Sequence, residues 1–254
     1  MSCAFFRFYA ELNDFLPPEK RQVTFRHPFQ GRVSVKDTIE SLGVPHTEVD
    51  LILVNGASVD FTFCIKDEDR VSVYPVFEGL DIKPLLRVRP AQLRETKFVL
   101  DTHLGRLAGY LRMLGFDTFY RNDIGDDELA MLSSKQKRIL LTRDRGLLKR
   151  SLVTHGYCIR ETSPRRQLVE VVRRFDLSSS IQPFRRCIRC NHLLQPVNKE
   201  IVAAHLPPST RANHQEFQRC TSCGRVYWKG SHYERMAEFV HRIEKLQSRP
   251  MSML

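Results

Sequence analysis

Two Cys-x-x-Cys pairs constrain this chain more than any other feature of its sequence. The pairs are Cys187 with Cys190 and Cys220 with Cys223. Each pair can present two thiolates from one tight turn, and two such turns supply the four sulfur ligands of a tetrahedral Zn²⁺ site. Because four thiolates leave no position for water, the pattern predicts a structural rather than a catalytic zinc. A redox pair or an iron–sulfur centre is the less favoured alternative.

The composition is that of a globular chain. Hydrophobic residues make up 42% and charged residues 27% of the 254 residues, which excludes wholesale disorder and predicts two or three domains. The sequence lacks both the long apolar run of a spanning helix and the basic start of a signal peptide. We therefore expect a cytoplasmic protein, in which paired cysteines bind metal rather than form disulfides.

Positive charge is concentrated in the later part of the chain, whose net charge is +11 overall. Residues 1–80 hold 8 basic and 12 acidic residues, residues 81–162 hold 16 and 10, and residues 163–254 hold 16 and 7. Basic surfaces attract polyanions. The distribution predicts that the second and third segments contact nucleic acid and that the first does not.

The first 80 residues predict short strands around one helix, Ser34–Gly43. Runs of aromatic and β-branched residues predict the strands Ala4–Tyr9, Arg21–Arg26, Leu51–Val54 and Arg70–Pro75. This order resembles the ubiquitin-like β-grasp fold of small sulfur carriers. Such carriers end in a free Gly-Gly carboxylate, whereas here Glu78 precedes Gly79 and the chain continues. We therefore expect a recognition or docking module.

Residues 95–180 alternate between strands and helices, after a linker at 81–94 that is rich in Pro and Arg. The predicted strands are Lys97–Asp101, Asp117–Tyr120, Arg138–Asp144 and Tyr157–Arg160. Helices are predicted after the first strand, ending at Gly115, and over Asp126–Gln136. This alternation indicates an α/β fold with a parallel sheet.

Acidic side chains follow two of these strands. Asp101 and Asp144 each end an apolar strand, and the carboxyl ends of parallel strands meet at one edge of a sheet. Clustered carboxylates repel one another unless cations lie between them, so the pattern predicts a Mg²⁺ or Mn²⁺ site that Asp126 or Asp127 completes. For each acid, the alternative is that it caps or faces the start of the following helix.

Basic residues surround both predicted metal sites, an arrangement that suits a polyanion whose scissile phosphate is bridged by metal. The residues expected to contact RNA are Arg106, Arg112, Arg143, Arg145, Lys149, Arg186 and Arg189. Tyr227 and Trp228 follow the second cysteine pair. Their rings either stack on the bases of single-stranded RNA or pack the small core of a zinc ribbon.

Three segments, residues 98–117, 126–129 and 139–145, resemble the Mut-seven C-terminal RNase family. This branch of the PIN-like nucleases carries a zinc ribbon, and many bacterial members have a ubiquitin-like domain in front. The resemblance implies that Asp101 and Asp144 are the first and late acids of a Mg²⁺ or Mn²⁺ cluster. It also implies metal-assisted hydrolysis of RNA.

We therefore predict a ubiquitin-like β-grasp domain at 1–80, a linker at 81–94, a PIN-like RNase domain at 95–180 and a zinc ribbon with a closing helix at 181–254. The expected activity is hydrolysis of RNA phosphodiester bonds, in tRNA or another structured RNA, with catalytic Mg²⁺ or Mn²⁺ and structural Zn²⁺. The expected partners are single-stranded or tRNA-like RNA and a protein bound by the ubiquitin-like domain, with no membrane.

Two other functions stay open. The first is a non-catalytic RNA- or ribosome-binding adaptor that retains the PIN-like fold, which is favoured because no clear fourth acid closely follows Asp144. The second is a sulfur-transfer component, which the missing Gly-Gly end disfavours.

Overall fold

The computed structural model describes residues 1–75, 87, 88 and 95–245. The chain divides into two compact units, one of Met1–Glu95 with Gly125–Cys158 and the other of Thr96–Ile124 with Ile159–Leu254. The Glu78-Gly79 tail and most of the predicted linker lie outside the described residues. No helix in the described ranges is long and apolar enough to cross a membrane.

A five-stranded mixed sheet forms the N-terminal part of the first unit. Its strands are β1 (Ser2–Phe8), β2 (Phe25–Phe29), β3 (Leu51–Val54), β4 (Ala57–Ser58) and β5 (Arg70–Tyr74), in the order β2-β1-β5-β3-β4. β1 and β5 are parallel at its centre, and the other pairs are antiparallel. Ala4, Phe6 and Phe8 alternate along β1 and are buried, as the period of a strand requires.

One helix, α1 (Val35–Ser41), follows β2. The Ser34 hydroxyl accepts a hydrogen bond from the N–H of Asp37 at 3.0 Å and caps the helix. Gly43 follows the helix at φ +103°, in the left-handed region that favours glycine. The predicted helix is therefore confirmed, with Val35 and Ile39 fully buried.

The second strand lies later than predicted. It covers Phe25–Phe29 instead of Arg21–Arg26, because Gln22 adopts a left-handed turn conformation at φ +58°. The N–H of Gln22 donates to Asn13 Oδ1 at 2.7 Å, which holds the turn. β2 is an edge strand, where Pro28 is tolerated although it lacks an N–H.

Strands and helices alternate beyond residue 95. In chain order they are β6 (Lys97–Leu100), α2 (Gly105–Met113), β7 (Asp117–Phe119), α3 (Asp126–Gln136), β8 (Ile139–Thr142), α4 (Arg145–Leu148), β9 (Gly156–Cys158) and α5 (Pro164–Arg174). β6 pairs with β7 in parallel, and β8 pairs with β9 in parallel. The alternation and the parallel pairing confirm the predicted α/β class.

Polar contacts join the N-terminal sheet to residues 125–158 within the first unit. His46 Nε2 lies 2.9 Å from the carbonyl oxygen of Val153. The carboxylate of Glu48, which is 1% exposed, accepts a hydrogen bond from the N–H of Cys158 at 2.6 Å. These buried contacts hold Val153 and the end of β9 against the turn that precedes β3.

A three-stranded antiparallel sheet, here called the ribbon sheet, contains β10 (Leu194–Val197), β11 (Phe217–Cys220) and β12 (Val226–Trp228). Two short helices, α6 (Lys199–Val202) and α7 (Pro208–Asn213), occupy the connection from β10 to β11. Their segment supplies Val202 and Leu206 to a buried cluster with Phe217. The closing helix α8 spans Ser231–Glu244.

Candidate functional site

The four paired cysteines lie together in the second unit. All four Sγ atoms are within 4.8 Å of one another, with Cys187 3.6 Å from Cys223 and Cys190 3.3 Å from Cys220. A tetrahedral zinc with Zn–S bonds of about 2.3 Å has S···S edges of about 3.8 Å. The four Sγ atoms therefore need only small shifts to bind a single Zn²⁺.

Both cysteine pairs sit on the same kind of turn, here called the first cysteine turn (187–191) and the second cysteine turn (220–224). The N–H of Asn191 donates to the carbonyl of Cys187 at 2.9 Å, and the N–H of Gly224 donates to that of Cys220 at 3.2 Å. Asn191 and Gly224 are both left-handed, at φ +73° and +70°. Asn and Gly are the residues that tolerate this conformation best, so the sequence after each pair favours the turn.

Hydrogen bonds favour the thiolate of Cys187. Burial raises its pKa, but the Tyr227 hydroxyl, 3.1 Å from Sγ, and the N–H of Cys190 together lower that pKa to about 6. Burial, and then the thiols of Cys220 and Cys187, raise the pKa of Cys190 to about 12. Adjacent thiolates repel one another, and a dication at their centre removes that repulsion.

Arg112 holds the first cysteine turn. Its side chain is buried, with 4% exposed. Nε donates to the carbonyl of Thr118 at 2.9 Å, and Nη1 donates to those of Ile188 and Arg189 at 3.1 and 2.8 Å. Burial lowers the pKa of Arg112, and Cys190 opposes that shift. Arg112 thus has a structural role, and its expected contact with RNA stays a prediction.

Two further side chains connect the first cysteine turn to β7. The Asn191 carboxamide accepts from the N–H of Thr118 at 2.9 Å and donates to Asp117 Oδ1 at 2.8 Å. Arg186 donates to the carbonyls of Gly115 and Asn191 at 3.1 and 2.9 Å. Arg186 is thus also used for structure, although sequence predicts it as an RNA contact.

The two acids with the clearest predicted role occupy different local environments. Asp101 directly follows β6 in the second unit, is 8% exposed and accepts a hydrogen bond from Thr102 Oγ1 at 3.1 Å. Its side chain does not cap the following helical turn. Asp144 follows β8 in the first unit and caps α4 through Oδ1, which accepts from the N–H of Gly146 at 2.7 Å and of Leu147 at 3.4 Å. Of the two acids, Asp144 is therefore the one that caps the following helix.

The remaining predicted acids form ion pairs at the start of α3. Arg150 contacts Asp127 Oδ1 and lies 3.8 Å from Asp126 Oδ2. Both carboxylates are in the first turn of α3, where Gly125 is the cap residue. A metal site is commonly built from at least three His, Cys, Asp or Glu side chains close enough to share one ion. Within the described parts of the chain, only the four cysteines form such a group.

The predicted basic residues separate into exposed and engaged members. Arg145 lies 4.8 Å above the Phe15 ring, and its guanidinium is 3.4 Å from the carbonyls of Asp14 and Phe15. Lys149 Nζ donates to the carbonyl of Glu40 at 2.6 Å. Both side chains thus contact the N-terminal sheet domain. The exposed members of the predicted set include Arg106, Arg143 and Arg189.

These observations define a protein with a β-grasp sheet at its N-terminus, followed by an α/β domain and a four-cysteine ribbon. A Mut7-C ubiquitin family model matches residues 1–81, and a Mut7-C RNAse domain model matches residues 96–240. The chain belongs to the Mut7-C RNAse domain family, which confirms the resemblance seen in the sequence. The RNAse match includes all four cysteines. Comparisons with curated proteins and with solved structures gave no match.

Proposed function

We propose that this protein is a metal-dependent ribonuclease that hydrolyses RNA phosphodiester bonds. The observation that carries the proposal is the match of residues 96–240 to an RNAse domain. The basic balance of residues 81–254, the segment that contains this domain, is consistent with a polyanionic substrate. We expect the substrate to be tRNA or another structured RNA in the cytoplasm, and the ubiquitin-like domain to bind a protein.

Asp101 and Asp144 are the proposed ligands of Mg²⁺ or Mn²⁺, with Asp126 or Asp127 as the third acid. Carboxylate oxygens are the ligands that these cations prefer, so the donor set fits. Asp144 uses only Oδ1 for the cap on α4, and Oδ2 makes no hydrogen bond within the described residues. When bound, the metal lowers the pKa of water and stabilises charge on the phosphate.

The protein side chains supply the rest of the proposed site. Asp101 is nearly buried, which fixes its position at the end of β6. Arg106 and Arg143 are exposed close to the two acids in sequence, where their guanidinium groups can contact backbone phosphates. The four cysteines hold Zn²⁺ as a structural ion, and Arg189 is exposed on the first cysteine turn, where it can contact a phosphate.

The experiment that tests this function compares Asp101→Asn with wild type on labelled RNA in Mg²⁺ or Mn²⁺. We expect cleavage to fall at least about 100-fold, because a metal ligand is weakened, while RNA binding is retained. Asp123→Asn is a matched control, since this exposed carboxylate pairs with Arg121. Full cleavage by Asp101→Asn would reject the assignment.

The adaptor function is the second candidate. It is favoured by the engagement of Asp144 as a helix cap and by the ion pairs that Asp126 and Asp127 form with Arg150. An adaptor would bind RNA or ribosomes equally well with and without Mg²⁺ and would show no cleavage at any metal concentration.

A further inference from the structure

A cleft of about 890 Å³ lies between one face of the ribbon sheet and helix α8. Its volume is within the range of ligand-binding sites, about 300–1,000 Å³. Pro196 pairs with Gln218, and Gln218 pairs with Tyr227, so these three side chains share the face that borders the cleft. Tyr233 and Met236 line the cleft from α8.

The other face of the ribbon sheet already has its own core. Val202, Leu206 and Phe217 are buried there, and Trp228 packs against them. Trp228 therefore serves the ribbon core, as one of the two alternatives for this residue predicts. Phe217 and Trp228 also line the cleft, so the ribbon core borders the cleft at these two residues.

Three aromatic rings in this cleft are held in place by their neighbours. The hydroxyl of Tyr227 lies 3.1 Å from Cys187 Sγ, which fixes the ring beside the cysteine cluster. The rings of Phe184 and Tyr233 are 4.6 Å apart between centroids, at 45°. All three side chains are half-buried. Positioned aromatic rings in an apolar cleft provide surfaces on which nucleobases stack.

The charge around the cleft is compatible with an anionic ligand. Residues 183–229 contain eight Arg and Lys residues and two Glu residues. The lining includes the cations Arg185, Arg186, Lys199 and Lys229 and the acids Glu200, Glu216 and Glu244. Glu216 is 2.7 Å from Lys229 Nζ, so this pair is neutral. The lining itself carries a net charge of +1, and the surrounding segment 183–229 adds further cations. Apolar rings beside this positive charge complement a nucleic acid strand, which combines flat bases with phosphates.

We propose that the cleft binds unstacked bases of single-stranded RNA. The bases would lie against Tyr227, Tyr233 and Phe184, with phosphates near Arg185 and Lys199. This inference rests on the proposed ribonuclease function and specifies its substrate class, an RNA with an unpaired segment. Bases in a continuous duplex are stacked on each other and cannot enter such a cleft.

The test measures RNA affinity without cleavage. Full-length Asp101→Asn protein is titrated with fluorescein-labelled oligouridylate, and anisotropy gives Kd. Adding Tyr233→Ala should weaken binding at least about fivefold, since a stacked base contributes about 1–3 kcal/mol. Tyr233→Phe should restore affinity because it keeps the ring. Tyr9→Ala is the matched control, because Tyr9 stacks on Tyr74 in the N-terminal sheet.

A second signal comes from Trp228, the single Trp of the chain, which borders the cleft. Its fluorescence should change on binding of oligouridylate and not on binding of a blunt RNA duplex. An unchanged Kd in Tyr233→Ala would overturn the proposal. So would a Trp228 response to an amphipathic peptide but not to RNA, which would indicate a protein partner.

The two proposals fail separately. If wild type cleaves RNA and Tyr233→Ala binds single strands normally, the cleft assignment is wrong and the nuclease stands. If single strands bind through Tyr233 and no metal supports cleavage, the nuclease assignment is wrong and the cleft stands.

Discussion

Arg112 carries its charge in a position with little access to water. Three backbone carbonyls accept from its guanidinium, and two of them belong to the first cysteine turn. The thiols of Cys187 and Cys190 favour its charged form. One arginine therefore satisfies carbonyls that would otherwise be buried without donors and balances the negative charge of the cysteine cluster.

We expect Arg112→Ala to lower the free energy of unfolding by about 3 kcal/mol, since it leaves buried carbonyls without donors. Urea denaturation of the zinc-loaded protein measures this change. Arg106→Ala, an exposed position on the same helix, should change it by less than about 0.5 kcal/mol. Equal effects of the two substitutions would contradict the assigned role of Arg112.

At the residue scale, the four-cysteine cluster was predictable and the structural role of Arg112 was not recognised. Two Cys-x-x-Cys pairs specify local turns whose geometry depends only on nearby residues. Arg112 follows the buried Ala108 by one helical turn, so helical periodicity places it on the buried face. That signal was available, but an arginine in a basic protein suggests a phosphate contact first.

Asp144, at the start of helix α4, has one structural role and one proposed catalytic role. Asp144 caps the helix, and the proposed metal uses the same carboxylate. Arg145 and Lys149, at the two ends of the helix, contact the N-terminal sheet domain. Because α4 is only four residues long, its position depends on the cap and on these contacts more than on its own hydrogen bonds.

Substitution of Asp144 can separate capping from catalysis. Asp144→Ala should lower stability by about 1 kcal/mol through loss of the cap, and Asp144→Ser should keep most of that stability because Ser is also a good cap. Both variants lack the carboxylate, so both should lose cleavage. Thermal unfolding and RNA cleavage measure the two effects. Cleavage by Asp144→Ser near the wild-type rate would show that Asp144 acts only as a cap.

At the element scale, sequence patterns located β6 and β8 well, because these strands contain the continuous apolar runs Phe98–Leu100 and Ile139–Leu141. α6 and α7 were not predicted. They are short helices within the connection between β10 and β11, and α6 buries Val202 in a cluster with Phe217, a residue distant in sequence. Local periodicity carries little information on such elements.

In the whole molecule, the N-terminal sheet domain is fastened to the RNAse segment that carries Asp144. Glu48 and His46 make their contacts with Cys158 and Val153 within one unit. The domain boundaries predicted from sequence follow the order of the chain. They could not show these contacts, because each joins residues more than 100 positions apart.

We expect Glu48→Ala to release the end of β9, since the N–H of Cys158 loses its acceptor in a buried position. The cost should be about 2 kcal/mol. Hydrogen exchange of the Cys158 amide should accelerate in this variant and remain slow in the control Glu19→Ala, which replaces an exposed acid. Unchanged exchange would mean that Glu48 does not hold β9.

The division of the chain into two interleaved units has a consequence for synthesis. Each unit consists of two separate stretches, so neither is finished when its first stretch leaves the ribosome. Residues 1–95 cannot complete their unit until residues 125–158 have been synthesised. Residues 96–124 likewise depend on the later stretch that contains the ribbon. A nascent chain therefore exposes unfinished apolar surfaces until late in translation, and chaperone binding should be most frequent before the cysteine turns emerge.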